Sequence, residues 1–221
     1  MISVIILAKN EGEGIRSIIR SVKPYATEII VVDGHSSDNT ANIAKRERVR
    51  YILDGGRGRG DGVRAGLAAA KHNIIVLFDA DGSHEAADIP KLIAPIVSGK
   101  ADLAIASRRT GGSFDRQMNF DALLRSSGSD ILTMMVNKKF STHFTDILYS
   151  FRAIKKSVVP TLNLSANGFT IEQEMIVSAL KNHKKVMEIP SREFARTWGT
   201  SKLHTATGML LFIDLCRQLY L

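Results

Sequence analysis

Two aspartates one residue apart, Asp79 and Asp81, are the side chains in this sequence best suited to chemistry. Asp79 ends residues 74–79, IIVLFD, and Asp81 follows just beyond; the apolar run is of the kind that forms a strand buried on both faces of a parallel sheet. In open α/β sheets the carboxyl edge of the strands is where ligands bind. A strand ending in Asp-x-Asp offers two hard oxygen donors at close range, which suits Mg²⁺ or Mn²⁺ holding a diphosphate. The same string also reads as an ordinary acidic turn, with Asp81-Gly82 as turn chemistry. The pair alone leaves both readings open.

The elements that must position this pair follow from periodicity. Apolar β-rich runs at 3–8, 28–33, 49–53, 74–78, 101–106, 151–154 and 185–189 predict seven strands, and helical spacing predicts helices between most of them. The alternation of strand and helix predicts a doubly wound α/β domain. Residues 54–62, DGGRGRGDG, hold five glycines and place Arg57 and Arg59 ahead of a helix predicted around 63–71. Backbone N–H groups, a helix start and arginines there could meet a phosphate, although the spacing matches neither a Walker loop nor GxGxxG; the alternative is a surface loop. The strand at 101–106 delivers Arg108 and Arg109 to the same edge. Residues 110–117 read as a loop, and Asp88 reads as the cap of a helix that Pro95 should kink or shorten. Glu172 and Glu174 lie two apart on a predicted helix, so only one faces a site. His35, His84 and His204 fall near site edges and lack metal-ligand spacing, which makes them surface or supporting histidines.

Composition narrows the partners. The chain has 221 residues, 44% of them hydrophobic, and a formal charge of +8, which together favour one globular domain with an anionic partner. Few aromatics and no recognisable nucleic-acid module argue against nucleic acid. The single cysteine, Cys216, excludes a disulfide framework and a cysteine-ligated zinc site, and reads as a buried small hydrophobe in a reducing compartment. No apolar run has the length of a membrane span, and the N-terminus lacks a signal-peptide layout, so a cytoplasmic location is expected. The apolar final segment, 203–221, reads as a helix that packs on the core, meets a second copy or lies at a membrane interface.

Eight strings in order resemble the family-two nucleotide-sugar glycosyltransferases of the GT-A fold, most closely their polyprenyl-phosphate (dolichyl-phosphate) mannosyl- and glucosyltransferase branch. They are ILAKNEGEGI, EIIVVDGHSSDNT, RGRGDGVRAGL, FDADGSH, LAIASRRTGG, TDILYSFRAI, GFTIEQEM and EIPSREFARTWGTSKL, and they span nearly the whole chain. The resemblance implies a single GT-A domain over 1–221, mostly parallel and twisted in its sheet with helices on both faces. A nucleotide-binding half would occupy about 1–107 and an acceptor half about 108–221. It implies metal-dependent, inverting transfer of a hexose from a GDP-mannose or UDP-glucose type donor to a polyprenyl phosphate; a peripheral contact with the cytoplasmic membrane face through the final helix is left open. A saccharide hydroxyl acceptor, or a catalytically silent nucleotide-sugar-binding protein, stands as the alternative; a homo-oligomer is left open.

By the same resemblance, Ala8, Asn10 and Glu11 would line the nucleobase pocket, and Asp33 would contact base or ribose. Arg59 and Gly60 would lie on the nucleotide side. Asp79 and Asp81 would hold Mg²⁺ or Mn²⁺ and the diphosphate, with Ser83 beside the metal. Arg108, Arg196 and Lys202 would surround phosphates, and Arg125 and Ser126 would face the acceptor. Asp146, Glu172 and Glu174 match acidic positions near the sugar. A hydroxyl acceptor would need a base such as Asp146 or Glu174, whereas a polyprenyl phosphate is already an oxyanion. The chain departs from the family at Lys9, usually tyrosine, at Gly34, often aspartate, and at 148–152, where LYSFR replaces a TSGFR-like string.

Overall fold

The computed structural model describes residues 1–112, 120–198 and 207–220, with the backbone alone at 120–126 and 207. Seven strands form one sheet: β1 (Ile2–Ala8), β2 (Glu28–Asp33), β3 (Arg50–Leu53), β4 (Ile74–Asp79), β5 (Leu103–Ser107), β6 (Arg152–Lys155) and β7 (Val186–Pro190). Their order is β3-β2-β1-β4-β6-β5-β7, and all pairs are parallel except those made by β6. The α/β fold class and the seven predicted strands are therefore present.

The central strands are largely apolar because helices cover both faces. Along β1, Ile5 enters a core with Val63 and Leu67 of α3 (Arg59–Ala69), Leu132 and Val136 of α6 (Phe120–Phe140), α7 (Ile171–Lys181) and α8 (Thr207–Tyr220). Its neighbours Val4 and Ile6 point the other way, into a core with α1 (Ile15–Val22), α2 (Thr40–Arg46) and α4 (Ile89–Val97). This alternation is the period of two of a pleated strand expressed on two apolar faces. Pro95 does lie inside α4, which ends two residues later. Asp88 precedes that helix without a side-chain cap bond and pairs with Lys91 instead. At 110–112, where a loop was predicted, Arg108–Gly111 forms a short helical turn, α5.

Strand order reverses between β1 and β4, and the crevice outside their carboxyl ends is the expected ligand site of such a sheet. In register, Leu7 pairs with Asp79 and Ala8 with Asp33, so the ends of β1, β2 and β4 lie level. The helix predicted at 63 starts four residues earlier, at Arg59, because Gly58 (φ 116°) turns the chain into it. That earlier start puts Arg59 in the first turn, beside the end of β4.

Candidate active site

A cavity of about 640 Å³ opens at this edge, lined by Ala8, Lys9, Glu11, Gly34, Asp54, Arg57, Arg59, Asp79, Asp81, Ser150, Glu172 and Arg196 among others. Leu148, Phe169 and Leu211 add an apolar lining. The two aspartates sit together here and are held in different ways.

Asp79 is fixed on both oxygens. Arg59 Nη2 donates to Oδ1 at 2.8 Å, and the Ser150 hydroxyl donates to Oδ2 at 2.7 Å. Arg59 also donates from Nε to Glu172 at 2.6 Å, so one guanidinium bridges two carboxylates. Burial alone would push Asp79 up, but Arg59 and the Ser150 hydroxyl help to outweigh it and bring the carboxyl down to about 2. For Arg59 burial pulls the other way, and Asp79 and Glu172 raise it well above its usual value. Below it lies Arg152, wholly buried, donating to the carbonyls of Glu172 and Tyr149 at 2.7 Å each. Burial lowers Arg152 to about 10, which leaves it charged at neutral pH.

Asp81 is held by Ser83 and Arg196. Its Oδ1 accepts from the Ser83 N–H and hydroxyl at 3.0 and 2.7 Å, and its Oδ2 takes Arg196 Nη2 at 2.8 Å. Arg196, 31% exposed, also lies 3.6 Å from Glu11. The backbone delivers Arg196: Phe194 N–H donates to Ser83 O, Thr197 N–H to Asp81 O, and His84 bridges Glu193. Trp198 locks this segment, donating from Nε1 to Ala80 O at 2.9 Å. Its indole lies flat over Gly14, where an added Cβ would fall 1.7 Å from the ring, so only glycine fits.

His84 is enclosed by aromatics. Its ring stacks on Phe151 at 5.0 Å and 19°, and meets Phe78 and Tyr149 edge-on. Nδ1 accepts from the Asp79 backbone N–H at 3.2 Å and Nε2 lies 3.1 Å from Ser150 Oγ. Burial is the largest influence on this imidazole and lowers its pKa.

The family model described as Glycosyl transferase family 2 matches residues 3–161. The chain belongs to this family. This family 2 glycosyltransferase is 36% identical over 202 residues to an uncharacterized glycosyltransferase of Mycobacterium tuberculosis, covering 91% of this chain and 89% of that one. It is 31% identical to a dolichol-phosphate mannosyltransferase of Pyrococcus furiosus over 93% of its own length and 60% of the relative's. Among solved structures it resembles glucosyl-3-phosphoglycerate synthase of M. tuberculosis in complex with Mn²⁺, UDP-glucose and glycerol 3-phosphate. That match has a TM-score of 0.81 at 19% identity and covers 99% of this chain and 80% of the other. The fold is GT-A.

Several residues singled out from the sequence lie elsewhere in this glycosyltransferase. Glu174 does not line the cavity; it accepts from the backbone N–H groups of Ser165 and Ala166, so Glu172 is the carboxylate of the pair that faces the site. Asp146 is 1% exposed and accepts from Arg108 Nε at 2.6 Å and from the N–H groups of Leu148 and Tyr149. Arg108 is spent on Asp146 and Glu193, over the Tyr149 ring. The two brace the 146–150 turn from outside the cavity, so neither is placed as a base or phosphate ligand.

Ser83 supports Asp81 and is not itself a lining group. Asn10 and Asp33 are likewise set back: Asn10 ties Ser37, and Asp33 takes Ser36 and the Tyr51 hydroxyl. Gly60 serves packing, since a Cβ there would meet the Ala166 carbonyl at 2.2 Å. Lys202 and the side chains of Arg125 and Ser126 lie outside the described residues. His84 is a supporting histidine, as its place beside the aspartates suggested, while Ser150 and Trp198, not among the expected site residues, take partners from distant segments.

Proposed function

We propose that this enzyme transfers a hexose from a nucleoside diphosphate sugar, of the GDP-mannose or UDP-glucose type, to a polyprenyl phosphate. One observation carries the reading: every carboxylate lining the cavity is already engaged, while Leu148, Phe169 and Leu211 line it with hydrocarbon. Asp79 and Glu172 share Arg59; Asp81 and Glu11 face Arg196. Asp54 accepts from the Gly56 N–H and lies 3.5 Å from His35. A hydroxyl acceptor needs a base whose pKa lies near the working pH, and Asp79 is held at about 2. A phosphate monoester is already an oxyanion, so cations and an apolar path serve it better than a base.

The donor set suits a divalent cation. Two carboxylates at the end of β4 match the way Mg²⁺ or Mn²⁺ is held, by one or two carboxylates plus substrate phosphates. No group of three or more His, Cys, Asp or Glu among the described residues could cage a metal, so diphosphate oxygens would complete the coordination. When bound, the cation neutralises charge on the diphosphate leaving group. Arg196 turns from Asp81 to the phosphates, and Arg59 keeps Asp79 ionised and fixed. The acceptor oxygen attacks the anomeric carbon as the bond to the diphosphate oxygen breaks, with inversion.

Membrane contact belongs to the same reading. α8 exposes Met209, Leu210, Phe212 and Ile213 around Leu211, which lines the cavity. No helix among the described residues is long and apolar enough to cross a bilayer. An apolar helix face and a charge of +8 fit a peripheral site on an anionic, cytoplasmic leaflet. The test is transfer of labelled hexose from UDP-glucose and GDP-mannose to polyprenyl phosphate or to free saccharide, with Mn²⁺. Label in the lipid fraction supports the proposal; label only on saccharide overturns it.

A further inference from the structure

We propose that Ser150 and His84 are positioning residues for Asp79, acting as a one-way chain of hydrogen bonds that sets where its carboxylate points. The directions follow from donor chemistry. The Asp79 backbone N–H can only donate, so His84 Nδ1, 3.2 Å away, is an unprotonated acceptor. The ring proton of neutral His84 then sits on Nε2, which faces Ser150 Oγ at 3.1 Å and donates to it. Ser150 has one hydroxyl hydrogen, and it goes to Asp79 Oδ2 at 2.7 Å. His84 Nε2 is itself 3.8 Å from that oxygen, too far for a direct hydrogen bond, so the serine is required as the link.

The chain begins and ends on the same residue: the backbone of Asp79 orients the histidine that, through Ser150, orients the side chain of Asp79. The histidine cannot turn, because Phe78, Tyr149 and Phe151 surround it. With Arg59 on Oδ1, neither carboxylate oxygen is left to wander. Groups that orient a ligand-holding carboxylate are worth about 10–100-fold in affinity or activity when removed.

The inference rests on the part given to Asp79 in donor binding. It is tested by titrating Mn²⁺ with UDP or GDP into the full chain and its Ser150→Ala, Ser150→Thr, His84→Phe and Asp79→Ala variants. Phenylalanine keeps the stack on Phe151 and removes both ring nitrogens. We expect Ser150→Ala to weaken metal–nucleotide binding by about 10-fold or more and Ser150→Thr to restore it. Ser150→Ala and His84→Phe should combine less than additively, since they break one chain. Nitrogen NMR of the ligand-free protein should show His84 with an unprotonated Nδ1 and a protonated Nε2. Loss of binding in Asp79→Ala with none in Ser150→Ala, or an Nδ1–H tautomer, overturns the relay. Unchanged binding in Asp79→Ala would instead remove the donor-site reading itself.

Discussion

Residues 1–107 place their site groups at strand ends, whereas residues 108–221 deliver theirs one side chain at a time. Ala8 ends β1, Gly34 and Asp54 follow β2 and β3, and Asp79 ends β4, so four neighbouring parallel strands share one edge. The later half contributes Ser150 from the turn before β6, Glu172 from the start of α7, Arg196 from beyond β7 and Leu211 from α8. The difference shows in the two aspartates. Asp79, 18% exposed, is pinned on both oxygens by Arg59 and Ser150, while Asp81, at 11% the more enclosed of the two, shares its outer oxygen with a partly exposed arginine of the later half. The early half sets the edge, and the later half both braces it, through Ser150 and Glu172, and reaches over it with Arg196.

Removing the rigid anchor should have the largest effect. Arg59→Ala leaves buried Glu172 and the largely enclosed Asp79 without their cation, so unfolding in urea should show a loss of about 3–5 kcal/mol. A loss under about 1 kcal/mol would show that the edge is not organised by this residue. Acid titration comes next. The folded pKa of Asp79 is depressed to about 2, so its contribution is complete above about pH 5 and is lost as pH falls through the folded value. On the order of 2 kcal/mol should drain across that window, and Asp79→Asn should flatten this part of the stability–pH curve.

The two glutamates of α7 divide along the same line. Glu174→Gln should cost about 1 kcal/mol through its contacts to Ser165 and Ala166 while kcat stays unchanged. Glu172→Gln should lower kcat instead, because it loosens Arg59. The reverse pattern in steady-state kinetics would return Glu174 to the site. The smallest change in stability belongs to Arg196→Ala, under about 1 kcal/mol, because the arginine is partly exposed and Asp81 keeps its two bonds from Ser83. Its effect should appear in nucleotide affinity, read by calorimetry.

Much of the early half was legible in the sequence, for a physical reason. Strands covered on both faces are continuous apolar runs, and the residues that end them fall at the ligand edge without further information. The direction of β6 was not legible, because four residues, RAIK, carry no mark of parallel or antiparallel pairing. Glu172 and Glu174 could be told apart in principle but not assigned, since the deciding partner, Arg59, lies 113 residues away. Arg108 and Asp146 were expected at the site because they match positions of the resembled family, Arg108 also because it follows a strand end; in the fold they pair with each other at a turn. His84 gave no signal beyond its place after the aspartates. Its importance comes from three aromatic rings and a serine that only the folded chain brings together.

The most direct test of the central claim is a calorimetric titration of UDP, GDP, UDP-glucose and GDP-mannose with Mn²⁺, repeated with EDTA and with Asp81→Ala. The account predicts metal-dependent binding of one nucleotide and its sugar, lost in the variant while the fold persists. Binding that survives both EDTA and the variant would contradict it, because the carboxylates at the end of β4 would then have no part in holding the donor.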